Sequence, residues 1–108
     1  MKELMEYRVK MLKALADPIR LQIVYFLKDA ERCVCEIIPA IGKAQSTTSK
    51  HLDILYEAGI LNRRIEGKRT LYSIRDHQLF KLLETLDYLI LRQLGPVLKV
   101  AKTLKAVK

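Results

Sequence analysis

The sequence predicts a mostly helical α+β fold, and three observations carry that prediction. Apolar residues recur at three- and four-residue spacing along much of the chain. Two short alternating runs flank a glycine-centred polar turn, and an Asp-Pro pair and further glycines punctuate the helical stretches. Half of the 108 residues are hydrophobic, enough for one core with little room for a second, so residues 1–108 are expected to form a single domain.

The elements follow in order. In residues 2–15, Leu4, Met5, Val9, Met11, Leu12 and Leu15 stand among Lys, Glu and Arg at helical spacing, the pattern of an amphipathic helix. Asp17-Pro18 restarts the chain, because an Asp side chain caps free amides and Pro is tolerated in a first turn. The next helix is expected from Pro18 to Leu27 or Lys28, burying Ile19, Leu21, Val24 and Leu27. After the polar break at 29–32, residues 33–41 are short, apolar and helical, and Gly42-Lys43 supplies the stop. Gln45-Ser46-Thr47-Thr48-Ser49 then offers capping side chains to a helix that Leu52, Leu55 and Ala58 continue to the breaker Gly59. Two short helices joined by a tight turn across 33–59 make a helix-turn-helix.

From Ile60 the period changes. Leu61, Arg63 and Ile65, then Leu71, Tyr72 and Ile74, flank Glu66-Gly67-Lys68, so residues 60–75 are expected as a two-stranded β-hairpin. Directly after a helix-turn-helix such a hairpin is expected to serve as a wing, which makes the expected fold a winged helix-turn-helix. Residues 77–108 return to helix, with leucines covering far more than one stripe. Gly95-Pro96 is expected to break this helix before a final segment in which Lys99, Lys102, Lys105 and Lys108 form a solvated face.

Lys and Arg number 20 against 12 Asp and Glu, a net charge of +8, which attracts a polyanion: nucleic acid or an anionic membrane surface. The longest apolar run, Ile23 to Leu27, is far short of the roughly 20 residues of a spanning helix. No signal-peptide pattern opens the chain, so a cytoplasmic location is expected, with Cys33 and Cys35 as reduced thiols. No Ser/His/Asp set, phosphate loop or carboxylate pair supports an enzyme.

A helix entering the major groove needs short polar residues at its start and cations behind them. Gln45, Ser46, Thr47, Thr48, Ser49, Lys50 and His51 meet that need, and Arg63, Arg64, Lys68 and Arg69 on the hairpin suit the adjacent backbone. Taken singly, the hydroxyls are ordinary caps, the hairpin cations an ordinary solvated turn, and His51 a packing residue. Their succession within thirty residues is what points to duplex DNA. The long helix cannot hide all its leucines in so small a monomer, so Leu82, Leu86, Leu89 and Ile90, together with Leu4 of the first helix, are expected at a homodimer interface.

Several stretches resemble the ArsR/SmtB group of metal- and stress-responsive repressors. Leu12-Lys13-Ala14-Leu15-Ala16-Asp17-Pro18-Ile19-Arg20-Leu21 is similar to the group's second-helix entry. Gln45 to Leu52, with Leu55 and Glu57-Ala58-Gly59-Ile60-Leu61, resembles its recognition helix, and Gly67-Lys68-Arg69-Thr70-Leu71-Tyr72 its wing. The resemblance implies an obligate dimer, built on residues 1–15 and 77–108, bound to a near-palindromic operator beside a promoter. Cys33-Val34-Cys35-Glu36 resembles the signature of the group's arsenic, antimony, cadmium and lead sensors, which implies As(III) or a soft divalent metal as effector. Departures accompany it: Ile38 stands where a third thiol often follows, and residues 1–20 hold no Cys or His. On the long helix Asp76 and His77 begin a zinc-type set, but Gln78, Leu89 and Arg92 stand where its ligands would follow.

On an ideal helix, residues two apart point about 200° from each other, so chelation or a disulfide by Cys33 and Cys35 is expected to need local unwinding. Arg32 and the helix N-terminus favour the thiolate. The expected function is a DNA-binding repressor released by an effector acting on Cys33 and Cys35. Its alternatives are a thiol-redox-responsive or effector-independent repressor of the same fold, a pair of cysteines that only pack, and a soft-metal buffering protein.

Overall fold

The computed structural model describes the backbone of residues 1–107 and the side chains of residues 1–95. The chain runs α1 (Lys2–Leu15), α2 (Pro18–Phe26), β1 (Arg32–Cys33), α3 (Val34–Ile41), α4 (Gln45–Glu57), β2 (Leu61–Glu66), β3 (Arg69–Ile74) and α5 (Leu79–Val107). Met1–Asp76 form one compact unit, and the chain from His77 onward a second.

Local chemistry sets the helix ends. Asp17 caps α2, its carboxylate accepting from the amides of Ile19 at 2.8 Å and Arg20 at 3.1 Å, with Pro18 in the first turn. Gly42 closes α3 at φ 76°, a left-handed conformation that glycine adopts without a Cβ clash. In the first unit α2, α3 and α4 pack against one another, and α4 rests on β2. Val24 and Leu27 are buried as expected, Ile19 and Leu21 only partly, and Ile23 joins them at full burial. Leu52 and Leu55 of α4 close the same core from below.

The sheet corrects the expected two strands to three, in the order β1-β3-β2, all antiparallel. The hairpin is as anticipated: β2 pairs with β3 from Leu61↔Ile74 to Glu66↔Arg69, and Gly67 turns it at φ 62°. The extra strand is two residues long, Arg32 opposite Tyr72 and Cys33 opposite Leu71. So short a strand has no alternation to betray it in the sequence.

In the second unit, α5 runs from Leu79 to Val107 without the break expected at Gly95-Pro96. Proline's fixed φ lies within the helical range, and the cost is one lost backbone hydrogen bond in the preceding turn. The side chains of Lys99, Lys102, Lys105 and Lys108 lie outside the described residues. Leu82, Leu86, Leu89 and Ile90 are 51, 49, 54 and 40% exposed, and on α1 Leu4 is 48% exposed. No helix is long and apolar enough to cross a membrane, among the described residues.

Candidate nucleic-acid interface

The helix-turn-helix consists of α3, the turn at residues 42–44, and α4. The N-cap of α4 is Ala44, with no side-chain hydrogen bond, so the polar run does not cap as expected. Gln45, Ser46 and Thr47 are instead exposed in the first turn, and Lys50 lies exposed one turn on, with none of these hydroxyl or amide groups used at the helix end. Ser49 is half-buried.

Two members of the run face elsewhere. Thr48 is 0% exposed, so the expectation that it reads DNA is corrected. It begins the buried stripe Thr48, Leu52, Leu55, whose spacing of four and three residues places one helix face on the core. Its Oγ1 has no hydrogen-bond partner among the described residues. His51 is half-buried, and its Nδ1 meets the Arg20 guanidinium at 3.1 Å. Arg20 also donates from Nε to the Ala14 carbonyl at 2.6 Å and from Nη2 to the Lys13 carbonyl at 3.1 Å. Arg20 thus ties the end of α1 to α2 and α4, a role the sequence reading missed.

The wing cations divide in the same way. Arg64 is committed to Glu31, at 2.9 and 2.7 Å, and to Glu66 at 2.9 Å. These two carboxylates, Glu31 first, hold its proton more firmly than usual, and they compete with any phosphate. Arg63 stacks over Tyr56 at 3.9 Å and approaches Asp53 at 3.4 Å. Lys68 has no ion-pair partner among the described residues, and Arg69 only approaches Glu36 at 4.0 Å. Of the four expected wing contacts, Lys68 and Arg69 at the hairpin turn are the ones whose charge stands most open to a polyanion.

The cysteines are not opposed across a helix, and the expected unwinding is unnecessary. Cys33 lies outside α3 as its N-cap, with extended backbone at φ −71° and ψ 148°, while Cys35 lies inside the first turn. That change of direction brings the side chains together, and their Sγ atoms are joined in a disulfide. Cys33 is 3% exposed, whereas Cys35 faces solvent. The Cys35 amide donates to Cys33 Sγ at 3.0 Å, and the Cys33 amide donates to Glu36 Oε1 at 3.0 Å, completing a capping box. That amide, followed by Arg32 and Arg69, outweighs partial desolvation and holds the Glu36 carboxyl below its ordinary range. The pair offers two sulfurs, and among the described residues no group of three or more His, Cys, Asp or Glu could hold a metal ion. The pair thus supplies two sulfurs, one fewer than a three-sulfur site.

One cleft of about 420 Å³ unites the three expected functional groups: Cys33 and Cys35, Gln45 and Ser49 of α4, and Lys68 and Arg69 of the wing.

A family model described as "Bacterial regulatory protein, arsR family" matches residues 17–63, from the cap of α2 into β2. The chain is similar to the HTH-type transcriptional repressor SmtB of Mycobacterium tuberculosis, 37% identical over 78 residues, which make up 72% of this chain and 58% of that protein. It is 39% identical over 70 residues to the arsenical resistance operon repressor of Escherichia coli, covering 64% of this chain and 60% of that one. The matched stretches thus span less than two thirds of these relatives. Among solved structures, the homodimeric winged helix-turn-helix DNA-binding domain of a possible ArsR-family regulator from Mycobacterium bovis superposes with a TM-score of 0.77. It is 33% identical, with 85% of this chain and 88% of that one covered.

Proposed function

From the premise that this chain belongs to the arsR family of bacterial regulatory proteins, we propose that it is a homodimeric repressor which inserts α4 into the major groove of operator DNA. The observation that carries this reading is the start of α4. Gln45, Ser46 and Thr47 are exposed and free of capping duty, above a helix face anchored by Leu52 and Leu55. Donors and acceptors held this way suit base edges, while Lys50, Lys68 and Arg69 suit phosphates. Dimerisation is supported by the exposed leucines of α5 and by the homodimeric architecture of the mycobacterial neighbour. Two-fold symmetry would double the contacts and set the half-site spacing near one turn of DNA.

Release is assigned to an effector acting on Cys33 and Cys35. The relative named for arsenical resistance supports As(III), and a relative from Staphylococcus aureus named for cadmium resistance supports a soft divalent metal, either held through both thiolates of the reduced chain. Its chemistry would be to clamp two sulfurs at the first turn of α3, and strain there passes through the turn at 42–44 to α4. A second reading, oxidation of the pair, is favoured by the bonded sulfurs.

The test is titration of duplex DNA with the reduced chain at several salt concentrations, followed by arsenite, cadmium, zinc or an oxidant added to the complex. The repressor reading expects a log-log salt slope of several units and dissociation by a thiol-directed agent. Salt-independent or absent DNA binding would leave a soft-metal buffer as the better account.

A further inference from the structure

The cleft between α3, α4 and the wing contains the Cys33–Cys35 disulfide beside the cations Lys68 and Arg69. Of the two bonded residues, Cys35 is exposed and Cys33 buried. Thiol–disulfide exchange proceeds in line: a thiolate attacks one sulfur and expels the other. Cys35 is the exposed member of the pair, so attack falls at its sulfur and Cys33 is the leaving group. Departure from Cys33 is favoured, because its Sγ already accepts the Cys35 amide at 3.0 Å and stands at the N-terminus of α3, both of which stabilise a thiolate.

The surroundings select the attacker. Lys68 and Arg69 line the same cleft. The acids nearby already have partners: Asp53, which also lines the cleft, is 3.4 Å from Arg63, and Glu36 meets Arg32 at 3.4 Å and the Cys33 amide at 3.0 Å and approaches Arg69 only at 4.0 Å. Gln45 and Ser49 of α4 add neutral hydrogen-bonding groups to the lining. A small thiol carrying a carboxylate would meet two cations where its sulfur reaches Cys35.

We propose that this cleft binds low-molecular-weight thiols bearing carboxylates and that Cys35 is their site of mixed-disulfide formation. The step balances without a further oxidant: RS⁻ attacks Cys35 Sγ, the Cys35–Cys33 bond breaks, and the products are Cys35–S–S–R and the Cys33 thiolate. Return attack by Cys33 on Cys35 Sγ expels RS⁻ and restores the original bond, so occupancy follows thiol concentration. The proposal rests on the thiol-responsive reading above and names the ligand class for the same cysteines. An adduct would draw on Lys68 and Arg69, which that reading gives to phosphate.

The full chain in its disulfide form is exposed to 3-mercaptopropionate, 2-mercaptoethanol or cysteamine at matched thiolate concentrations. After an acid quench, intact mass gives the rate and peptide mapping the site. The expected result is an adduct on Cys35, formed about fivefold faster with the carboxylated thiol than with the neutral one and slowest with the cationic one. Lys68→Ala/Arg69→Ala should erase that order while a circular dichroism melt reports an intact fold. An adduct on Cys33, equal rates for the three thiols, an order unchanged in the variant, or a purified chain that forms no Cys33–Cys35 bond would overturn the proposal. DNA binding by the reduced chain, measured on the same preparation, tests the repressor reading separately.

Discussion

Arg20 donates from Nη1 to Nδ1 of His51 at 3.1 Å, joining α2 to α4 across 31 positions of sequence. A guanidinium has no acceptor, so Nδ1 must offer a lone pair, and the neutral His51 ring carries its proton on Nε2. The same guanidinium holds two carbonyls at the end of α1.

Arg20→Ala should therefore destabilise the fold by about 1–3 kcal/mol, because carbonyls and an imidazole lose one shared donor. His51→Ala should cost less, as it removes one of the three bonds. Urea unfolding measures both, and an Arg20→Ala midpoint equal to that of the parent protein would refute the anchoring role.

Thr48 and Thr47 are adjacent and should behave oppositely. Thr48→Val removes a buried hydroxyl with no partner and should stabilise by up to about 1 kcal/mol with operator affinity unchanged. Thr47→Ala should leave the melting temperature alone and reduce discrimination between operator and random duplex. Equal losses on both duplexes would show that Thr47 only positions the helix.

The wing cations should separate by salt dependence. Lys68→Ala and Arg69→Ala are each expected to flatten the log-log salt slope of DNA binding by about one unit. Arg64→Ala should flatten it less, since Glu31 and Glu66 already neutralise that charge. A full unit lost at Arg64 would show that DNA displaces the carboxylates.

Acid should loosen the start of α3. The Glu36 carboxyl is held below its ordinary 4.5 in the folded chain, chiefly by the Cys33 amide. A lowered folded value means that its stabilisation is present above 4.5 and is lost as pH falls through the folded value. Glu31, held down first by its bond to Arg64, acts in the same direction. Glu36→Gln should thus flatten the loss of stability below about pH 4.5, and an unchanged acid limb would remove the capping box from the account.

Cys33→Ser/Cys35→Ser should keep DNA affinity, because serine is a competent N-cap, and should abolish release by arsenite, cadmium or oxidant. Retained release in a mobility-shift titration would move the sensor elsewhere in the chain.

The sequence alone determined the order of α1 to α4 and the hairpin and the character of the polar run. Period, Asp17-Pro18, Gly42 and Gly67 act over a few neighbouring residues, so their effects are readable from a short stretch of chain. Tertiary structure alone decided which members of each cluster face outward. Thr48 turns inward because its helix face meets the core, and Arg64 is claimed by Glu31, 33 positions away. The two-residue β1 exists only because β3 has an edge to pair with, and its end at Cys33 bends the chain so that two sulfurs converge beside the wing. Contacts between distant segments depend on how elements pack, and no local pattern encodes them.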